Sequence, residues 1–349
     1  MRAITVVPGQ PERSELAELR APEPGPDELL VEVLRLGVCG TDREIVEGGH
    51  GEPPEGRDRL VLGHELLGRV REAPSGAGFE RGDLVAGIVR RPDPVPCPCC
   101  ARGEWDMCRN GLYTERGIKG RDGYGAELVT LETDFAVPVA PELGGLGVLT
   151  EPASVLAKAW EQIERIAGRA CAPHERALVT GAGPIGLLAA LMGVQRGFEV
   201  HVLDRARTGP KPELVRALGA GYHSGSIAEL CERAEPDVIV ECTGVAELVV
   251  DAMRYTAPGA VVCLTGVAPS RSLTVDVGAL NNEIVLENDV VFGSVNAARR
   301  HFDQAACALE EADRDWLSRL ITRQVPLERW HEALDKGEDD IKVVVEFAA

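Results

Sequence analysis

The segment Arg176-Ala-Leu-Val-Thr-Gly-Ala-Gly-Pro-Ile-Gly-Leu-Leu-Ala-Ala (176–190) places a Gly-x-Gly-x-x-Gly pattern between a strand-like apolar run and a helix-like one. The pattern is weak evidence alone and gains its force from this strand–turn–helix setting. Gly181 permits the tight turn, Gly183 lets the backbone approach a pyrophosphate, and Gly186 allows close packing of helix on strand. The helix that follows offers its free N–H groups to phosphate oxygens. About 18 residues on, Val200-His-Val-Leu-Asp204 ends a second strand with an acid, the residue type that accepts hydrogen bonds from ribose hydroxyls. A glycine-rich loop of an unrelated α/β domain would not require that combination.

Further strand-like runs follow at 237–242, 260–265 and 290–295, alternating with helical segments, and this β/α alternation predicts a doubly wound parallel sheet. Upstream, residues 150–167 read as a helix, with apolar residues at Val155, Leu156, Ala159, Trp160 and Ile163. The N-terminal third differs. Short runs at 4–7, 28–36, 66–70 and 82–89, punctuated by Pro and Gly, predict a β-rich module that carries Cys39 to the mouth of a loop. A tail from 299 adds helices and a last strand around 341–347. At 349 residues two domains are expected.

Composition narrows the function. A net charge of −19 and an aromatic content of 4% argue against nucleic acid, which binds cationic surfaces and stacking platforms. The longest apolar run, 185–194, is half the length a membrane span needs, so no membrane partner is expected. The first residues enter a strand-like run without an export signal, and four of the ten cysteines cluster at 97–108, a pattern of metal binding in a reducing compartment; cytoplasm is the expected location.

Gly63-His64-Glu65, with Cys39 upstream and Glu151 downstream, supplies a thiol, an imidazole and two carboxylates, a donor set able to hold Zn²⁺ with a position open for substrate. The 25 residues from Cys39 to His64 exclude a compact zinc finger, so these ligands must converge by folding. Taken singly, each has a plainer reading as a small buried thiol, a core histidine and a solvated charge. Cys97, Cys99, Cys100 and Cys108 suggest a second, closed zinc site of the structural kind.

The motifs Gly37-Val-Cys-Gly-Thr-Asp42 and Leu62-Gly-His-Glu65 resemble those of the zinc-containing medium-chain dehydrogenases, and the resemblance runs nearly the length of the chain. It implies a GroES-like β-rich catalytic domain at 1–154 and 297–349 and a Rossmann cofactor domain at 155–296. It also implies a catalytic zinc on Cys39 and His64, with Glu65 and Glu151 supplying oxygen near or on the metal, and Thr41 as the hydroxyl that accepts the substrate proton. The alcohol dehydrogenases carry a relay histidine where this chain has Glu44. Asp42 reads equally as a carboxylate orienting the ligands or as a loop cap. The structural lobe of the family has the spacing Cys-x2-Cys-x2-Cys-x7-Cys; here Pro94 stands at its first position and Cys99 is the local substitute.

Four stretches, at 43–45, 113–123, 150–152 and 293–302, look like those of the glucose dehydrogenases, best known from archaea. This resemblance implies that Glu115 and Asn296 contact sugar hydroxyls, together with Thr41 and Glu151, and that Pro184, Ile185, Arg205, Thr243 and Gly266 join Gly181, Gly183, Gly186 and Asp204 around the dinucleotide. Asp204, followed by Arg205-Ala206, favours NAD, with NADP also possible. The expected function is hydride transfer from C1 of an aldose to NAD(P), in a homo-oligomer, either dimer or tetramer. Alternatives are dehydrogenation of another cyclic polyol, an aminocyclitol or a modified sugar in a biosynthetic pathway, or a catalytically idle NAD(P)-binding regulator.

Overall fold

The computed structural model describes residues 1–231, 233–267 and 271–347. The chain forms two compact units, one of Met1–Ser154 with Asn296–Ala349 and one of Val155–Val295. The second junction thus falls one residue before the boundary read from the sequence, and Asn296 groups with the first unit.

In the second unit six parallel strands form one sheet, ordered Gly221–His223, Glu199–Leu203, Arg176–Thr180, Val238–Glu241, Val261–Leu264, Val290–Gly293. Their sequences are near-continuous Val, Ile and Leu because a parallel sheet is covered on both faces. Leu178, Ile239 and Val262 are fully buried at its centre. The chain order reverses between Arg176–Thr180 and Val238–Glu241, and the carboxyl ends of strands at such a switch point are where α/β sheets bind ligands. Helix Pro184–Gln195 leaves the first of these strands with proline in its first turn, where the missing N–H costs nothing.

The first unit is built on strand Glu28–Val38. It pairs antiparallel with Glu65–Glu72, with Leu128–Glu132 and with Lys342–Glu346, so three distant segments meet on one strand. The register sets Gly37 opposite Glu65 and Val38 opposite Val343. A Cβ at Gly37 would lie 1.9 Å from Glu65 Oε2, so glycine is required there. The core beneath includes Leu29, Val31, Leu66, Tyr124 and Trp330.

Where the sequence reading placed Cys39 at a loop mouth, the chain instead turns directly into helix Gly40–Glu47, with Cys39 as its N-cap residue. Asp42, three residues in, accepts a hydrogen bond from the Cys39 N–H at 2.9 Å and closes the first turn. Among the described residues no helix is long and apolar enough to cross a membrane.

Candidate active site

Cys39 follows the central strand, and His64 follows Gly63, whose φ of +95° and contact with Leu36 leave no room for a side chain. The two ends meet. Cys39 Sγ lies 3.2 Å from His64 Nε2, and with a Glu65 oxygen they form a set whose ligand atoms all fall within 4.8 Å of one another. Sulfur and nitrogen on one tetrahedral zinc stand about 3.5 Å apart, given bonds of about 2.3 and 2.0 Å. His64 Nδ1 faces Asp42 Oδ1 at 3.5 Å, the carboxylate support typical of a metal-binding imidazole. Asp42 caps the helix through the Cys39 N–H and turns its other oxygen toward the His64 ring. Burial opposes a charged imidazole here, yet the Cys39 and Asp42 charges outweigh it and raise the His64 pKa. A pocket that draws protons in this way is short of positive charge, and a divalent cation fits its donors.

Glu65 has a second partner. Lys342 Nζ donates to both its oxygens, at 2.6 and 2.7 Å, and to Val38 O at 3.4 Å, with lysine and glutamate 1% and 2% exposed. The Glu65 carboxylate is thus anchored whether or not it reaches a metal. Glu151, in the first turn of helix Thr150–Ala167, is half-buried and lies outside the Cys39–His64–Glu65 set. Burial pushes its pKa up to about 7; the His64 charge acts against this and the Glu65 charge with it, so Glu151 sits in the same electrostatic neighbourhood. Thr41 is half-buried in the first turn after Cys39. Glu44, one turn on, pairs with His50 at 2.8 Å, so an imidazole stands beside the position that holds a histidine in the alcohol dehydrogenases.

The two residues expected at the sugar touch each other. Asn296 Nδ2 donates to Glu115 Oε1 at 2.8 Å, and Arg90 holds the same carboxylate through Nε at 3.1 Å and Nη2 at 3.0 Å. Asn296 has a φ of +62°, a left-handed conformation asparagine tolerates, and its own Oδ1 accepts from Ala297 N. Arg90 also stacks over Tyr113 and donates to Asp106 O. These contacts fix a polar cluster on the first unit.

In the second unit the glycine loop has the geometry its residues demand. Gly181 has a φ of +88°, and a Cβ at Gly186 would sit 1.8 Å from Gly181 O. A Cβ at Gly183 would meet nothing within 4 Å, which leaves open the space a pyrophosphate needs. The N–H groups of Ile185 and Gly186, behind Pro184, fall in the helix's first turn and have no carbonyl partner within it. Asp204 accepts from Ala182 N at 2.7 Å and from Ala206 N at 2.9 Å, so its carboxylate is fixed against the loop; Arg205 is exposed. Glu241, fully buried, accepts from Thr180 Oγ1, Thr243 N and Gly244 N at 3.1, 2.8 and 3.0 Å, and Gly266 packs so closely that a Cβ would lie 2.1 Å from Gly244 N.

The cysteine lobe departs from expectation. Cys97, Cys100 and Cys108 bring their sulfurs within 4.8 Å of one another, and Cys99 is not among them. The reason lies in the backbone. Ala101 N–H closes a turn on Cys97 O at 2.9 Å, while the Cys99 carbonyl caps Arg102 and Glu104, so residues 97 and 100 face inward and 99 does not. The N–H groups of Cys100 and Arg109 point at Cys97 Sγ, at 3.5 and 3.4 Å, and hold its pKa down at about 6.

Residues 25–141 match the alcohol dehydrogenase GroES-like domain, and residues 144–347 match the glucose dehydrogenase C-terminus. The glucose 1-dehydrogenase of Thermoproteus tenax is 42% identical, with 99% of each chain covered, and that of Methanocella arvoryzae is 40% identical over 100% of each. The chain belongs to the glucose dehydrogenase family. Glucose dehydrogenase of Haloferax mediterranei, solved in complex with NADP, Zn and gluconolactone, superposes with a TM-score of 0.92 at 35% identity, covering all of both chains.

Within this member of the glucose dehydrogenase family, Lys342, Arg90 and Glu241 are site residues that the sequence reading passed over. Lys342 carried a signal, a lysine inside the apolar run Ile341–Val345. Arg90 carried none, since its partners Glu115 and Asp106 are set by chain crossings, and Glu241 binds Thr243 and Gly244 close by in a turn that showed no pattern of its own.

Proposed function

We propose that this chain is a zinc-dependent sugar dehydrogenase that moves hydride from C1 of D-glucose or a closely similar aldose to NAD(P), giving the lactone. The observation that carries the proposal is the joint presence in one unit of the Cys39–His64–Glu65 donor set and the Glu115–Asn296–Arg90 cluster. Cys39 and His64, with one or both of Glu65 and Glu151, would hold a zinc ion, which would supply Lewis acidity to a substrate oxygen. Thr41 takes the proton of that hydroxyl, and the neighbouring Glu44–His50 pair offers it a route to solvent. Glu115 and Asn296 orient the ring, because a polyhydroxy substrate is selected by converging carboxylate and amide groups. The Gly181–Gly186 loop holds the pyrophosphate and the Asp204 carboxylate the adenosine ribose.

For the cofactor, NAD is the preferred partner. Asp204 is fixed by two backbone N–H groups, and a 2′-phosphate brought to it would face a carboxylate that cannot swing away. The enzyme works as a homo-oligomer: Val290–Gly293 is an edge strand, and exposed apolar residues stand in the helix before it, at Val277, Val285 and Leu286, and just after it, at Val295. Its place of work is the cytoplasm.

The test is a panel of aldoses, cyclitols and aminocyclitols assayed for NADH and NADPH formation with wild type and Glu115→Ala. Glucose or a near epimer should be the best substrate, and the variant should raise its KM at least tenfold, as an unpaired buried polar group costs about 1–3 kcal/mol. A cyclitol used in preference to every aldose would replace the glucose reading. Unchanged sugar kinetics in Glu115→Ala would remove the role of the cluster.

A further inference from the structure

The lobe presents three inward thiols where a tetrahedral structural zinc needs four donors. The sequence position of the missing ligand is Pro94, which has no metal-binding atom. One residue earlier stands Asp93. It is 3% exposed, and its Oδ2 accepts from Cys108 Sγ at 3.2 Å. Its other oxygen, Oδ1, is buried and has no hydrogen-bond partner. A buried carboxylate with a bare oxygen is costly unless a cation completes it.

We propose that Asp93 is the fourth ligand of the lobe zinc, which is held as Cys3Asp by Asp93, Cys97, Cys100 and Cys108, and that Cys99 is not a ligand.

Carboxylate oxygen is an ordinary zinc donor, and with bonds of about 2.0 Å to oxygen and 2.3 Å to sulfur the two ligand atoms stand about 3.5 Å apart, near the observed 3.2 Å. Charge is conserved, since three thiolates and a carboxylate carry the same charge as four thiolates. The backbone delivers Asp93 with little freedom: it follows strand Arg90–Arg91, and as the residue before a proline it is confined to extended conformations. Asn110 Nδ2 donates to Val95 O at 3.2 Å, which ties the segment after Asp93 to the segment after Cys108. By contrast the turn at 97–101 directs the Cys99 thiol away from the cluster.

Zinc counted per chain on the full-length protein after exhaustive dialysis decides the matter. Wild type and Cys99→Ser should each retain about two ions, and Asp93→Ala about one, the survivor being removed by adding His64→Ala. Asp93→Cys should again hold two, and after cobalt substitution it should show thiolate-to-metal absorbance increased by one added Co–S bond. If Asp93→Ala does not fold, the pair Cys99→Ser and Asp93→Cys still decides: two ions in the first and added absorbance in the second support the assignment. Loss of an ion in Cys99→Ser, retention of both in Asp93→Ala, no added absorbance in Asp93→Cys, or a wild type with a single ion that His64→Ala removes would each overturn it.

Discussion

Replacing Lys342 by methionine keeps the length of the side chain and removes its charge. The ammonium makes two bonds to Glu65, at 2.6 and 2.7 Å, in a setting where both residues are essentially inaccessible to water. Breaking such a pair from one side leaves a buried carboxylate without its counter-charge, a loss of about 3–5 kcal/mol. Methionine packing recovers little of this, because the deficit is electrostatic. Equilibrium unfolding in urea, followed on the chelator-treated protein, should show the full loss, with a melting temperature lowered by roughly 10 °C. The zinc-loaded protein should lose less, since the cation then faces the same carboxylate. Adding Glu65→Gln should restore most of the stability, as a neutral amide needs no counter-ion. A Lys342→Met protein within about 0.5 kcal/mol of wild type in the metal-free state would refute the reasoning and show that Glu65 is neutralised in another way.

Other consequences can be measured separately. Gly186→Ala puts a methyl group 1.8 Å from Gly181 O, so the loop must shift; dinucleotide affinity by fluorescence titration should fall at least about tenfold, with stability lowered by about 1–3 kcal/mol. Unchanged affinity would mean the loop does not hold the cofactor. Steady-state kinetics with both cofactors should give NAD at least about a tenfold advantage in kcat/KM, equivalent to about 1.4 kcal/mol, and Asp204→Gly should abolish it; better use of NADP by wild type would show that Arg205 and Arg207 prevail. Glu132 accepts from Arg91 at 2.7 Å and lies near Arg116 and Arg121; burial opposes its charge, but these guanidinium groups outweigh burial and hold its pKa down at about 2. A folded-state pKa below the unfolded value gives stability that is complete above about pH 4.5 and is lost as pH falls toward 2, so Glu132→Gln should flatten the acid limb of the stability profile. An unaltered acid limb in that variant would contradict the assignment.

What the sequence made legible follows from range. The Gly181–Gly186 loop, the strands flanking it and Asp204 lie within thirty residues, and each obeys a local rule of periodicity or turn chemistry. Helix Thr150–Ala167 was readable for the same reason. The helix after Cys39 was not: Gly40-Thr41-Asp42 reads as loop chemistry, and only the bond from Cys39 N–H to Asp42 shows that it is a first turn. Glu65 illustrates the other limit. The sequence offers it to a metal, but its bond to Lys342 spans 277 residues and exists because the C-terminal strand pairs with Glu28–Val38. The lobe combines both cases. Cys97, Cys100 and Cys108 keep a recognisable register, whereas the choice between Cys99 and Asp93 depends on which way a turn faces.

On the proposed function, Cys39 and His64 hold a zinc ion on which sugar oxidation depends. That dependence is tested most directly by measuring NADH formation from D-glucose, zinc content and dinucleotide affinity together on wild type and His64→Ala. The variant should lose turnover and one zinc ion while binding the dinucleotide nearly as wild type does. A His64→Ala enzyme that turns over glucose at the wild-type rate would contradict it.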